Sequence, residues 1–594
     1  MRIIAAGGLN ENDGAALEEC QEGFNFELTY GDVDFRPRKP IDLKGTSTNG
    51  GDISGILQLI KRDDTETTLI FDDDGAAPEL FLWDGASTFT SKRTDNLAIG
   101  SKLRDVYYSL DDVIVTVDIA KLTPIMNWDG TTVTRHLTGL FDGNPAAVTS
   151  ITRTGSTATV TTTAAHGMST GDLMVIAGAV ETDYNIEAEI TVTGASTYTY
   201  EVAGSPATPA TGTITFDKGT ELFARYGVIH NGRLWLFNVK TGSTDSAHLM
   251  VASFFEDIET FDTTKRAGDS GFSTGNEAFY MLSPDLREIN GVAVFNKELI
   301  VSTEGGRVFR LTGNDSTNYS WVDYYAGSAS IGTETVVNFG NDVAFMRQGG
   351  NIDTIRATET SGDVSVDDIS RWIPDQVKDV NDALAVYDPQ NQKVYFFVGN
   401  KVLVLFKEFL YGSQLSPWSV YKTQHSGNFN TNAARYLRRP GETTWSLYFG
   451  DASGYIFDMN GEGGSGDGGT AAIQTRRKTR LVEEIPAQQS QIHGKVRYRR
   501  QGACSLDLEF DWSDEYNITT ASIPLSGPPE GDIGAYFGGD VYFGGDIYFS
   551  QGFEFTRQVS TRNFSPTGRA KSFFMTASLE TNVNFQIDHI ELLA

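Results

Sequence analysis

The sequence predicts an all-β protein: a β-propeller of roughly six to eight blades that carries a small inserted β domain and is followed by a C-terminal β domain. Three observations predict it. The chain holds 62 glycines and 23 tyrosines and few leucine- or alanine-rich helical stretches, the composition of many strands and many turns. Apolar hairpins with Gly, Asp or Asn turns recur every ~40–50 residues, the period of propeller blades of about four strands each. Two of these hairpins close on the same tripeptide, in Phe81-Leu82-Trp83-Asp84-Gly85 and Met126-Asn127-Trp128-Asp129-Gly130.

Residues 1–50 read as an N-terminal strand and platform segment, and residues 51–146 as the first part of the propeller. The first hairpin there runs from Thr68-Leu69-Ile70-Phe71 through Asp72-Asp73-Asp74-Gly75 to Leu80-Phe81-Leu82-Trp83, and the second turns near Lys121. Residues 218–460 read as the second part. Hairpins in it turn at His230-Asn231-Gly232-Arg233, Glu304-Gly305-Gly306, Gly349-Gly350, Gly399-Asn400 and Asp451-Ala452-Ser453-Gly454. Each turn offers residues that tolerate positive φ, so each unit is a two-faced hairpin. A lone hairpin buries neither face, and similar units must therefore stack. In a stack of blades, Trp fills the space between neighbours while Asp-Gly turns the chain. A long β-sandwich or a solenoid also stacks hairpins; the blade-like period favours the propeller.

One interval breaks the period. Residues 147–217 shift to Thr, Ala, Val and Gly, with alternation in Thr157-Ala158-Thr159-Val160-Thr161 and a Pro-bounded exit at Pro206 and Pro209. They read as a sandwich-like β module inserted in a propeller loop, where insertion costs little. Residues 461–470, containing Glu462-Gly463-Gly464-Ser465-Gly466-Asp467-Gly468-Gly469, read as a flexible linker to a C-terminal β domain over 471–594.

Composition limits function. The length suggests roughly three to five domains. No stretch approaches the ~20 apolar residues of a membrane helix, and the first six residues are too short for a signal-peptide core. Cys20 and Cys504 have no partner at metal-ligand spacing and read as reduced core residues of a protein made in a cytoplasm. The net charge of −31 repels nucleic acid overall; taken alone, it also just keeps a protein soluble.

Chemistry-bearing patterns are absent. The seven histidines form no i, i+4 pair, and there is no phosphate-binding Gly-rich loop with Lys and Ser or Thr. Gly464-Ser465-Gly466 lies in the glycine run instead of a strand-to-helix elbow. If Asp72 opened a calcium loop, Trp83 would stand at the closing bidentate position. His166 has no local carboxylate partner and reads as a turn residue. The reading is non-enzymatic, with no cofactor.

One local reversal of sign stands out. Arg476, Arg477, Lys478 and Arg480, with Lys495, Arg497, Arg499 and Arg500, form a basic run that interleaves Tyr498. Alternation puts Lys495, Arg497 and Arg499 on one strand face. Such a face suits phosphate contact and base stacking; it equally suits an acidic surface of another subunit, which the acidic chain favours. Further on, Tyr536-Phe537-Gly538-Gly539-Asp540 recurs around Tyr542 and again as Tyr548-Phe549. It reads either as a projecting hairpin offering aromatics to a neighbour or as a pair of core strands.

Three stretches carry a resemblance. Gly23-Phe24-Asn25-Phe26 through Asp34-Phe35-Arg36-Pro37-Arg38-Lys39-Pro40 resembles the start of the tail nozzle proteins of short-tailed bacteriophages. Ser416-Pro417-Trp418-Ser419-Val420-Tyr421 is similar to a segment of those proteins and of the related packaged-DNA stabilisation proteins. Ala165-His166-Gly167-Met168-Ser169-Thr170-Gly171-Asp172 is similar to β modules found among phage virion proteins. The resemblance implies a structural virion protein, made in the host bacterial cytoplasm. It implies a homo-hexameric tube below the portal, partnered by the adaptor (head-to-tail connector) ring and tail fibre proteins. Such a tube retains the packaged genome and conducts double-stranded DNA without binding it specifically. The competing class is a propeller that binds or hydrolyses host-surface glycans; the repeated Ser-x-Asp-x-Gly-x-x-Trp turns of a sialidase-like propeller are missing.

Overall fold

The structure is a computed structural model that describes residues 2–3, 20–28, 36–263, 274–295, 297–326, 332–347, 349–357, 364–378, 380, 382–412, 415–423, 429–461, 467, 473–479, 493–500, 503–512, 517–526, 559–564, 573–581 and 585–593. Seven four-stranded antiparallel sheets form the propeller. Blade I comprises Asp52–Ile60, Glu66–Asp73, Glu79–Trp83 and Phe89–Arg93, and blade II Leu103–Tyr108, Val113–Asp118, Met126–Trp128 and Val133–Arg135. Blade III comprises Leu222–His230, Arg233–Thr241, Thr244–Ala252 and Phe279–Leu282, and blade IV Ile289–Phe295, Glu298–Thr303, Arg307–Thr312 and Ser320–Ala326. Blade V comprises Val337–Asn338, Asp342–Met346, Ile352–Ala357 and Val364–Asp368, and blade VI Leu384–Asp388, Lys393–Val398, Lys401–Phe406 and Trp418–Tyr421. The first strand of each blade neighbours the first strand of the next, and that of the last neighbours blade I, so the ring closes. Among the described residues no helix is long and apolar enough to cross a membrane.

Blade VII takes three strands from one end of the propeller, Ala433–Arg438, Trp445–Gly450 and Tyr455–Asp458, and its fourth, Asp42–Thr46, from the other. Tyr455 pairs with Thr46 and Asp458 with Asp42. The described part of residues 1–50, read as a strand and platform segment, thus includes a blade strand. Part of them is the seam of the ring, because antiparallel pairing leaves an edge on the third strand that only another strand satisfies.

The two Trp-Asp-Gly sites perform the same task. Trp83 is buried among Ala433, Leu437, Tyr448 and Ile456 of blade VII, with its ring 6.1 Å from that of Tyr448. Trp128 is buried among Leu57, Leu59, Leu69 and Phe71 of blade I, and its indole N–H donates to Thr67 Oγ1 at 2.9 Å. Each tryptophan therefore fills the gap to the preceding blade. The following Asp turns the chain: Asp84 accepts from the Ala86 and Thr88 N–H groups, and Asp129 from those of Thr131 and Thr132. Gly85 and Gly130 take φ of 87° and 92°, which a side chain disfavours.

The inserted module extends from Ala146–Thr154 to Gly212–Lys218, one residue beyond 147–217 at each end. Its long first strand joins two groups of strands around one core of Ile151, Val160, Met174, Ile176, Tyr184, Tyr198, Tyr200 and Phe216. The ends meet: Thr220 N–H donates to Leu140 O at 2.9 Å, and Asp142 N–H to Lys218 O at 3.0 Å. The module is also fastened to the ring. Glu189 accepts from Arg93 at 2.8 and 3.3 Å and from the Arg135 N–H at 2.9 Å, while Glu187 accepts from the Thr138 and Gly139 N–H groups at 3.2 and 2.8 Å. Replacing residues 143–217 by a short Gly-Ser link should leave a folded propeller, because the ends already touch. Its stability should fall by about 1–3 kcal/mol, because the buried Arg93 loses Glu189 and keeps only the half-exposed Asp95 carboxylate at 3.3 Å. Circular dichroism and melting of the shortened chain test this; an insoluble product without a β spectrum counts against it.

The C-terminal domain is built from both ends of the chain. One sheet orders Cys20–Phe24, Ile473–Thr479, Phe573–Thr581, Ala503–Trp512 and Asn517–Ser526; the other orders Arg2–Ile3, Phe585–Leu593, His493–Arg500 and Val559–Phe564.

Candidate assembly junction

Both chain ends reach the C-terminal domain past blade VI, and the crossing is chemically dense. Asn25 N–H donates to Val420 O at 2.7 Å, Ser419 Oγ donates to Phe26 O at 2.7 Å, and Phe26–Glu27 pairs with Arg36–Pro37. Two of the three stretches that carry the resemblance, one around Arg36-Pro37-Arg38 and one at residues 416–421, thus fold against each other.

At their centre Arg38 is buried, with 1% of its side chain exposed. Its guanidinium makes a bidentate pair with Asp467, also 1% exposed, and donates to Asn25 Oδ1 at 3.0 Å, Lys39 O at 2.8 Å and Lys422 O at 3.0 Å. Tyr421 and Phe429 flank it, with ring centroids at 5.7 and 5.6 Å. Asp467 also accepts from Thr423 Oγ1 at 2.6 Å and from the Ile41 N–H at 3.1 Å. A guanidinium buried this far from water needs every donor matched, and the planar fork is the group that allows it. Asp467 was expected in a flexible linker; it is instead an anchor, because Arg38 holds it.

A second ion pair braces the same crossing. Glu27 pairs with Lys393 and accepts from the Tyr421 hydroxyl at 2.6 Å. Burial pushes the Glu27 carboxyl up, but the Lys393 ammonium and the hydrogen bonds from Lys393 and Tyr421 outweigh it and hold the carboxyl below its ordinary range. Burial, with Glu27 beside it, pushes the Tyr421 hydroxyl well above the usual tyrosine range. Asn25 stands within the first resembling stretch, but nothing in the sequence joins Glu27 to Lys393 or Arg38 to Asp467, which lie 366 and 429 positions apart.

The central channel is not an open passage. Arg104 of blade II pairs with Glu334 on the approach to blade V, three blades around the ring, and donates to Asn432 O at 2.7 Å. Lys102 reaches Asp382, before blade VI, at 3.6 Å. Arg435 of blade VII passes blade I to pair with Asp105. Burial, and then the neighbouring Arg104, push the Arg435 guanidinium down to about 10, which leaves it charged at neutral pH. Opposite walls are therefore one side-chain pair apart. A duplex whose major groove alone is about 12 Å wide does not pass there.

The basic run divides between two sheets. Arg476, Arg477 and Lys478 lie on Ile473–Thr479, between Cys20–Phe24 and Phe573–Thr581. Lys495, Arg497, Arg499 and Arg500 lie on His493–Arg500, between Phe585–Leu593 and Val559–Phe564. The basic run thus lies on two strands of different sheets. Lys495 stands opposite Glu591 in register, Arg497 opposite His589 and Arg499 opposite Gln586. Arg480, Tyr536, Tyr542 and Tyr548 lie outside the described residues, as does the aromatic repeat. Among the described residues no group of three or more His, Cys, Asp or Glu is placed to hold a metal ion.

No protein-family model matches the chain, and no curated protein matches it. Among solved structures it is similar to the β-propeller domain of Cps50 (Swd1) from Myceliophteria thermophila, with 9% identity, 70% of this chain and 99% of that one covered, and a TM-score of 0.31. It is also similar to phage phi92 endosialidase, with 11% identity, 73% and 69% covered, and a TM-score of 0.28. Overlaps this loose carry no argument, and the propeller rests on its own strand order.

Proposed function

We propose that this chain is a structural virion protein, the nozzle subunit of a short phage tail, in which six copies form a tube that retains the packaged genome and conducts it at ejection. The observation that carries the reading is the junction: the two stretches that resemble tail nozzle proteins meet at one buried staple that ties both chain ends to the ring. The crossed channel refines it. The bore lies between copies of the chain, with each propeller a solid part of the wall. A net charge of −31 per copy suits that wall, since a negatively lined bore lets phosphates slide without sticking. The protein acts without catalysis or cofactor.

The adaptor ring and neighbouring subunits are the partners in this reading, and the basic strands of the C-terminal domain are their docking elements. Electron microscopy or mass measurement of tails extracted from particles tests the assembly. A sixfold ring is expected, and a monomeric spike would return the chain to the class of glycan-binding or glycan-hydrolysing propellers. Changing Lys495, Arg497 and Arg499 together to Gln should reduce incorporation into tails, with the largest defect at low salt, where the attraction it removes is least screened. Particles that assemble normally but eject DNA at an altered rate would place these residues at the bore instead.

A further inference from the structure

Blade III sends a strap over residues 254–261 back onto blade II. Phe254 N–H donates to Thr260 O at 2.8 Å, closing the strap, and Phe261 N–H donates to Thr138 O at 2.8 Å, fastening it. Beneath it lies a buried chain of polar groups. His136, 1% exposed, has Nδ1 2.6 Å from Asn127 Oδ1 and Nε2 2.7 Å from the Ile258 carbonyl oxygen. Nδ2 of the same Asn127 lies 2.6 Å from Glu259 Oε1.

These contacts dictate a proton count. A carbonyl oxygen only accepts, so Nε2 must carry hydrogen. If Nδ1 carries one too, the ring is an imidazolium donating to the amide oxygen, and the amide NH₂ faces an ionised Glu259. If Nδ1 is bare, the amide NH₂ donates to it, the amide oxygen faces Glu259, and Glu259 must be protonated to donate. Both arrangements hold one proton more than a neutral imidazole beside a carboxylate. Without that proton one contact sets two acceptors against each other, whichever way the amide is turned.

We propose that Glu259, Asn127 and His136 share a single proton in a latch that fastens the strap of blade III to blade II, and that its loss opens the latch. The proton resides on Glu259, because that arrangement buries no charge; it turns the Asn127 amide over, so that Nδ2 faces His136 and Oδ1 faces Glu259. The charged groups facing Glu259 are Asp257 on the strap, Asp111 on blade II and Glu187 from the inserted module, all acidic; Asp257 also faces His136. Burial, and then Asp257, push the Glu259 carboxyl up and outweigh the hydrogen bond from Asn127, which pulls it down, while burial pushes the His136 ring down to about 4. The signs run oppositely. The raised carboxyl contributes stability at low pH that is lost as pH rises through its folded value. The lowered imidazole contributes stability above its ordinary range that is lost as pH falls toward about 4. The latch is closed between these limits. Because Glu187 holds the Thr138 and Gly139 N–H groups beside it, the seat of the inserted module loosens with the latch.

The full chain labelled with ¹⁵N-histidine gives the first test. His136 should appear as a neutral ring protonated at Nε2 near pH 5–6; an imidazolium there, or a ring protonated at Nδ1, overturns the proposal. Hydrogen exchange of the 254–261 strap gives the second. Its protection should fall about tenfold per pH unit once the shared proton is lost. In Glu259→Gln the amide donates in place of the acid at every pH, so that fall should vanish. A variant that keeps the wild-type pH dependence shows that no proton on Glu259 closes the latch.

Discussion

Asp467→Ala should destabilise the attachment of the C-terminal domain by about 3–5 kcal/mol, because it leaves the Arg38 guanidinium buried without its counter-charge. The effect is large because Arg38 is 1% exposed and cannot turn to water. Denaturant unfolding measures the loss, and proteolysis within 461–470 should accelerate in parallel. The paired change Arg38→Met with Asp467→Leu should recover much of it, since removing both charges leaves no orphan. A single variant that loses less than about 1 kcal/mol would place the pair among those that contribute little.

Removing residues 1–46 should have a greater effect still. The cut takes away Asp42–Thr46, the fourth strand of blade VII, and Cys20–Phe24, an edge strand of the five-stranded sheet. It also takes Arg38 and leaves Asp467 as the orphan charge. Blade VII would then present the bare edge of Tyr455–Asp458, and a ring that closes through that blade has no other strand to seal it. The expected product aggregates or lacks a cooperative melt. A peptide spanning residues 20–50, added during refolding, should restore part of the soluble yield by pairing with the open edges. A soluble shortened chain with an unchanged melting temperature would show that the ring closes without its seam.

Much of this architecture was legible in local patterns. The hairpin at His230-Asn231-Gly232-Arg233 forms with Asn231 and Gly232 at φ of 49° and 70°, and His230 pairs with Arg233 across the turn. Its residues admit few other conformations, so the turn follows from four neighbours in the chain. The same holds for Asp84-Gly85 and Asp129-Gly130, and for the Thr157–Thr162 strand, whose alternation matches its buried and outward faces. Within the glycine run, the place of Asp467 was hidden for the opposite reason. Glycine composition describes what the backbone permits, and Asp467 is fixed by a partner 429 positions away. The division of the basic run between two sheets had no local signal, since Arg476 and Arg497 pair with strands far along the chain.

By itself, then, the sequence determined the strands, the turns, the blade period, the inserted module and the acidity, because each depends on side chains within a few residues of one another. The tertiary structure alone decided that blade VII closes with a strand from the N-terminal region and that both chain ends build the last domain. It alone set Arg38 on Asp467, Arg104 across the channel on Glu334, and Glu259 beside Asn127 and His136. Each of these joins groups whose separation in the chain says nothing about their distance in space. Burial then makes the match between them obligatory, since a charge or a donor removed from water must find its partner wherever the fold brings one.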